Sequence, residues 1–138
     1  VDTQGVDVGI QYFLSEAWNI QASYSWFDFE IIDADREVED ILLPNSPEHK
    51  ASLSVSFVKN RWAVGISGRW VQGFRWSAGV FQGQVGDYST VDLNAGYTFN
   101  DHTRIGLNVA NLRDSIHRQT FGGDLLSRRA LANLTFHW

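Results

Sequence analysis

Ala130-Leu131-Ala132-Asn133-Leu134-Thr135-Phe136-His137-Trp138 ends the chain on a two-residue alternation. Trp138, Phe136, Leu134, Ala132 and Ala130 are apolar, and His137, Thr135, Asn133 and Leu131 stand between them. Successive side chains of a β-strand point to opposite faces, so this stretch reads as a strand with one apolar and one mostly polar face. Terminal residues of a water-soluble domain usually fray into solvent. A strand that keeps its alternation up to a final aromatic suits a different setting, with lipid on one face and a wet interior on the other.

Six further segments alternate in the same way, at roughly 5–14, 18–29, 48–58, 61–72, 88–99 and 103–112. In the second, Trp18, Ile20, Ala22, Tyr24 and Trp26 oppose Asn19, Gln21, Ser23 and Ser25. In the third, Ala51, Leu53, Val55 and Phe57 oppose Lys50, Ser52, Ser54 and Ser56. A tilted strand needs about 9–11 residues to cross a bilayer, and the segments have that length. Strands of soluble domains average about 5–6. Polar faces built of Ser52, Ser54 and Ser56, or of Thr90, Asp92 and Asn94, fit a wet lumen; in a β-sandwich they would be the solvent side.

The connections alternate between short (15–17, 59–60, 100–102) and long (30–47, 73–87, 113–129). Outer-membrane barrels have short periplasmic turns and long external loops. On that pattern the terminal strand runs inward and the carboxy-terminus lies at the periplasmic side. Trp18, Trp62, Phe57, Phe99 and Trp138 then fall at the periplasmic rim, and Trp26 and Trp70 at the outer rim. Trp18 to Trp26 and Trp62 to Trp70 are both eight residues apart. Tilted strands cover roughly 20 Å in eight residues, close to the roughly 25 Å band between aromatic girdles.

Composition narrows the function classes. The chain has 138 residues and a net charge of −5, which argues against a nucleic-acid partner. It has no Cys, hence no disulfide, thiolate metal site or cysteine nucleophile. No apolar run reaches the roughly 18 residues of a transmembrane helix. Aromatics make up 14 % of residues, six of them Trp, yet mean hydropathy is −0.22. A transmembrane barrel averages out in this way, and so does a soluble sandwich. An odd strand number does not close a barrel of the usual even kind. Either one strand has escaped the pattern, giving a small autonomous barrel that is a passive pore or structural protein, or the chain is part of a larger barrel. The absence of an initial Met favours the larger barrel.

Two motifs resemble the carboxy-terminal barrel region of TonB-dependent outer-membrane receptors. "LPNSPEHKASLSVSF" (43–57) is similar to that family's Pro-x-x-Pro-x-His-Lys lead-in to a strand. "YSTVDLNAGYTFNDHTRIGLNVANLRD" (88–114) is similar to its late hairpin, ending on Asn111-Leu112-Arg113-Asp114, with Arg113 where an aromatic is common. The terminal aromatic resembles the assembly signal of outer-membrane proteins, here Leu134, Phe136 and Trp138. The resemblance implies an all-β, antiparallel up-and-down transmembrane barrel segment, about a third of a barrel of the roughly 22-strand type. It implies active import of a scarce nutrient such as a ferric siderophore, haem, cobalamin or a glycan. It also implies partners: a plug, the TonB complex, outer-membrane lipid and lipopolysaccharide, and the barrel-assembly machinery. The expected plug and TonB box are not in this sequence.

Residue clusters with chemical potential are few. Segment 28–40 holds Asp28, Glu30, Asp33, Asp35, Glu37, Glu39 and Asp40, hard oxygen donors without EF-hand spacing, as a solvated external loop also would. The last long connection holds Arg113, His117, Arg118, Arg128 and Arg129; Arg118 and Arg128 are candidate contacts for an anionic ligand or lipopolysaccharide phosphate. Asp7, Arg69, Asp92 and Asn108 are expected to face the lumen, against the plug or water. His49, His102, His117 and His137 lack metal-ligand spacing. No nucleophile, phosphate or dinucleotide motif occurs, so neither catalytic residues nor a cofactor are expected. Asn133-Leu134-Thr135 is a formal glycosylation sequon, but it lies within the expected membrane strand.

Overall fold

The computed structural model describes residues 2–30 and 43–138. Seven long strands form one sheet: β1 (Asp2–Phe13), β2 (Trp18–Glu30), β3 (His49–Lys59), β4 (Trp62–Val71), β7 (Tyr88–Asn100), β8 (Thr103–Ala110) and β9 (Arg129–Phe136). Each pairs antiparallel with the next, in the order β1-β2-β3-β4-β7-β8-β9. This is the expected up-and-down wall.

The register shows why the alternation is so strict. Tyr12, Ile20, Val55, Ile66, Leu93, Val109 and Ala130 stand directly opposite one another across all seven strands. A neighbouring row on the other face runs Phe13, Asn19, Ser56, Gly65, Asn94, Asn108 and Leu131. Slipping any pair by one residue would exchange the faces.

No second sheet or helix covers the apolar face among the described residues. Ile10, Leu53 and Leu134 are 64 %, 53 % and 70 % exposed. A soluble sandwich would bury this face in its core; a continuous exposed apolar wall of this size marks a membrane surface.

The structure corrects several boundaries. The connection 73–87 is not plain loop: it contains a hairpin of β5 (Phe74–Ala78) and β6 (Phe81–Val85). Its strands have only five residues each, too short for a clear period, and turn at Gly79, whose φ is +62°. β1 starts at Asp2, and β8 stops at Ala110 because Asn111 turns out at φ +54°. β9 ends at Phe136, so Trp138 lies past the terminal strand rather than in it. Of the acidic segment, Asp33, Asp35, Glu37, Glu39 and Asp40 lie outside the described residues.

Candidate functional site: an amphipathic wall and the cap at its long-connection end

On the apolar face, aromatic rings gather where the short turns are. Trp18 packs on Phe57 with centroids 4.8 Å apart, Trp62 on Tyr97 at 4.6 Å, and Phe99 meets Tyr97 edge-on at 4.9 Å. Phe99 sits in a register shift between Thr98 and Asn100, an added residue that brings a further ring to this rim. Trp26 and Trp70 stand at the opposite end, Trp26 between Val6 and His49, and Trp70 between Ala51 and Ser89. There Tyr24 Oη lies 2.6 Å from His49 Nδ1, a pair that periodicity alone does not reveal. Trp138 is fully exposed.

The polar face carries Asp7, Arg69, Asp92 and Asn108, as the register requires. Ser25 donates to Asp7. Arg69 lies opposite Ser52 and Thr90 and is exposed. Asn108 faces Asn94 and shares a polar recess of about 260 Å³ with Arg104, Asn133 and Thr135. The Arg104 guanidinium lies over Gly96, so close that a Cβ there would sit 3.1 Å from it. Asp92 is a brace: its Oδ1 accepts the Asn111 backbone N–H at 2.7 Å.

The described parts of the long connections do not splay; they pack into a cap. Val71, Ser77, Val85, Thr90, Asn111 and His117 are buried, and all belong to this end of the sheet. Asn45 grips the β5–β6 hairpin through two hydrogen bonds, Nδ2 to the Ser77 carbonyl at 2.8 Å and Oδ1 from the Ser77 N–H at 2.7 Å. The His117 ring stacks on Tyr88 at 4.4 Å. Its Nδ1 is 2.8 Å from the Ser115 carbonyl, which can only accept, so Nδ1 carries the proton. Phe121 lies on Gly83, where any Cβ would fall within 1.9 Å of the ring.

The two arginines singled out for ligand contact are both tied into this loop. Arg128 pairs with Asp114 at 3.8 Å, and its backbone N–H donates to Asp114 Oδ1 at 2.8 Å. Arg118 Nε donates to the Gly123 carbonyl at 3.2 Å, and the residue lines a recess of about 260 Å³ with Gln84, Asp87, His117 and Phe121. A second recess, of about 410 Å³, lies between Phe29, Leu43, Pro44, Gln72, Phe74 and Arg75. Asn45, Tyr88, Asn111 and Phe121 form the cap, a role the sequence reading assigned to none of them, although it quoted Asn111 within the Asn-Leu-x-Asp element. The signal available for two of them was asparagine: Asn45 and Asn111 both adopt positive φ, as Asn does more readily than other non-glycine residues. No group of metal-ligating side chains converges among the described residues.

No curated protein matches this chain. Its fold is shared with solved receptors. The closed form of the ferric-catecholate import receptor Fiu from E. coli K12 superposes with a TM-score of 0.79 at 22 % identity, over 99 % of this chain and 21 % of that one. For the siderophore receptor PiuA from Acinetobacter baumannii the values are 0.76 and 21 %, over 97 % and 21 %. For the pyoverdine outer membrane receptor FpvA from Pseudomonas aeruginosa PAO1 they are 0.74 and 22 %, over 99 % and 21 %. The chain therefore spans about a fifth of the length of these receptors. Residues 1–112 match the family described as TonB dependent receptor-like, beta-barrel. The chain belongs to the TonB-dependent receptor β-barrel family, a family of transport receptors rather than enzymes.

Proposed function

We propose that this chain is wall and cap of an outer-membrane receptor that imports a scarce nutrient by TonB-coupled transport. The observation that carries the reading is the seven-strand sheet with one uncovered apolar face bounded by aromatic rings and one polar face. Lipid, with lipopolysaccharide in its outer leaflet, covers the apolar face. The polar face lines a lumen that holds the plug, and coupling to the TonB complex runs through that plug. The short-turn end, with the carboxy-terminus, faces the periplasm, and the cap faces outward. Among nutrients a ferric siderophore is favoured, because the similar structures include receptors for ferric catecholates and pyoverdine. Leu134, Phe136 and Trp138 serve recognition by the barrel-assembly machinery.

The test is uptake by cells carrying or lacking the full-length receptor. Iron uptake from a panel of ferric siderophores is expected to depend on the receptor and to stop when TonB is removed. Receptor-dependent uptake that survives loss of TonB, or an isolated 138-residue chain that folds as a closed, heat-modifiable pore, would overturn the reading.

A further inference from the structure

The recess on the polar face, in the short-turn half of β7, β8 and β9, is lined by Asn94, Arg104, Asn108, Asn133 and Thr135 over Ala63 and Gly96. The register explains its floor. Ala63, Gly96, Gly106 and Asn133 form one cross-strand row, and three of the four carry at most a methyl group. Longer side chains lie down into the space this leaves. A Cβ at Gly65 would meet the Asn94 amide at 2.8 Å, one at Gly96 the Arg104 guanidinium at 3.1 Å, and one at Gly106 would run into the Asn133 amide. Glycine at these positions lets the polar side chains rest against the sheet.

None of the five polar side chains has a hydrogen-bond or ion-pair partner among the described residues. The carboxylates of the same face are already engaged, Asp7 by the Ser25 hydroxyl and Asp92 by the Asn111 N–H. Asp92 is also six residues along β7 from Thr98, the register partner of Arg104, a distance of roughly 20 Å. Asp101, in the adjoining turn, makes no ion pair with Arg104 among the described residues. Arg104 is the single charge of the recess, surrounded by amide N–H donors.

Arg104 is exposed in the wall by itself. On the reading above the lumen holds a plug, and a body packed over the recess takes Arg104 out of water. A guanidinium buried without a counter-charge is strongly disfavoured, so the covering surface has to bring an anionic acceptor. A carboxylate meets the guanidinium fork with two oxygens and keeps lone pairs for the amides. The cap occupies the other end of this face, so the recess opens toward the interior of the barrel.

We propose that an aspartate or glutamate of the plug docks in this recess, its carboxylate held by Arg104 with Asn94, Asn108 and Asn133 around it. The inference rests on the receptor reading above and deepens it: a filled lumen as such needs no charged anchor on β8.

The experiment is carboxyl labelling of the folded full-length receptor with a carbodiimide and glycine ethyl ester, read peptide by peptide by mass spectrometry. One plug carboxylate is expected to be protected, and to label roughly ten-fold faster in Arg104→Gln, the low end for loss of a hydrogen bond to a charged group. Arg104→Lys, which keeps the charge and loses the fork, is expected to fall between the two. Arg69→Gln, on the same face but outside the recess, is expected to leave that carboxylate protected. If no plug carboxylate responds to Arg104→Gln, or if one responds equally to Arg69→Gln, the proposal is overturned. A benzophenone side chain placed at Asn108 is expected to crosslink to the plug peptide carrying that carboxylate; crosslinks confined to the barrel also overturn it. Heat-modifiable migration and TonB-dependent uptake, measured in parallel, report separately on the receptor reading.

Discussion

Asp92 on the polar face of β7 accepts the backbone N–H of Asn111 at 2.7 Å, and this bond ties the wall to the turn that ends β8. Asn111 is 5 % exposed, turns at φ +54°, and completes the arrangement by bonding Ser115 in both directions. Three residues on, Asp114 takes the Arg128 N–H, so the last connection is held at both ends. The Asn-x-x-Asp element is thus a pair of carboxylate and amide braces for a loop of defined shape.

Removing the Asp92 carboxylate leaves a buried N–H without its acceptor. Asp92→Ala is expected to cost about 1–3 kcal/mol, and Asp92→Asn, which keeps an acceptor oxygen, about half as much. The folded-to-unfolded midpoint in urea, read from gel mobility of the full receptor, checks this. Equal midpoints for both variants and the parent would mean the bond contributes nothing.

Asn45 combines a positive φ of 52° with its two bonds to Ser77. Asn45→Gly keeps the backbone conformation and loses only the bonds; Asn45→Ala loses both. The expectation is faster amide exchange across 74–85 in both variants, with Asn45→Ala destabilised by a further roughly 0.5–1 kcal/mol. Unchanged exchange in Asn45→Gly would show that the hairpin does not depend on this grip.

The two faces can be separated by neighbours on one strand. Leu53 lies on the apolar face and Ser54 on the polar face of β3. Leu53→Arg puts a charge against lipid and is expected to cost about 2–4 kcal/mol, whereas Ser54→Arg faces water and is expected to cost far less. Refolding of the full receptor into lipid vesicles measures both; similar losses at both positions would contradict the assignment of faces.

Gly83 is open only because Phe121 occupies the space above it. Gly83→Ala is expected to lift the ring and loosen 117–126 while barrel stability stays nearly unchanged, since Phe121 is 40 % exposed and free to swing away. Limited proteolysis of the folded receptor reads the loop directly. A cut pattern identical to the parent would refute the contact.

Trp138 lies past β9 and is fully exposed. Its deletion is therefore expected to lower the amount of receptor reaching the outer membrane without changing the urea midpoint of the receptor that does. A shifted midpoint with normal membrane levels would instead assign it a packing role.

The wall was legible in the sequence because its cause is local. A strand between lipid and water repeats every two residues, and bilayer thickness sets its length, so Tyr12, Ile20, Val55, Ile66 and Leu93 declare their face before any partner is known. Short turns between such strands allow only neighbour-to-neighbour pairing, which also made the sheet order readable. The cap was not legible, because its contacts join residues far apart in a stretch without period. Asp92 reads as one more polar residue of a wet face until Asn111, nineteen positions later, is seen to need its oxygen. Arg128 reads as a free cation until Asp114 is found beside it. The sequence by itself determined a membrane-type sheet and its two faces, through periodicity and length. Only the tertiary structure decided how the described parts of the long connections fold, because close packing and pairwise hydrogen bonds between distant residues leave no pattern along the chain.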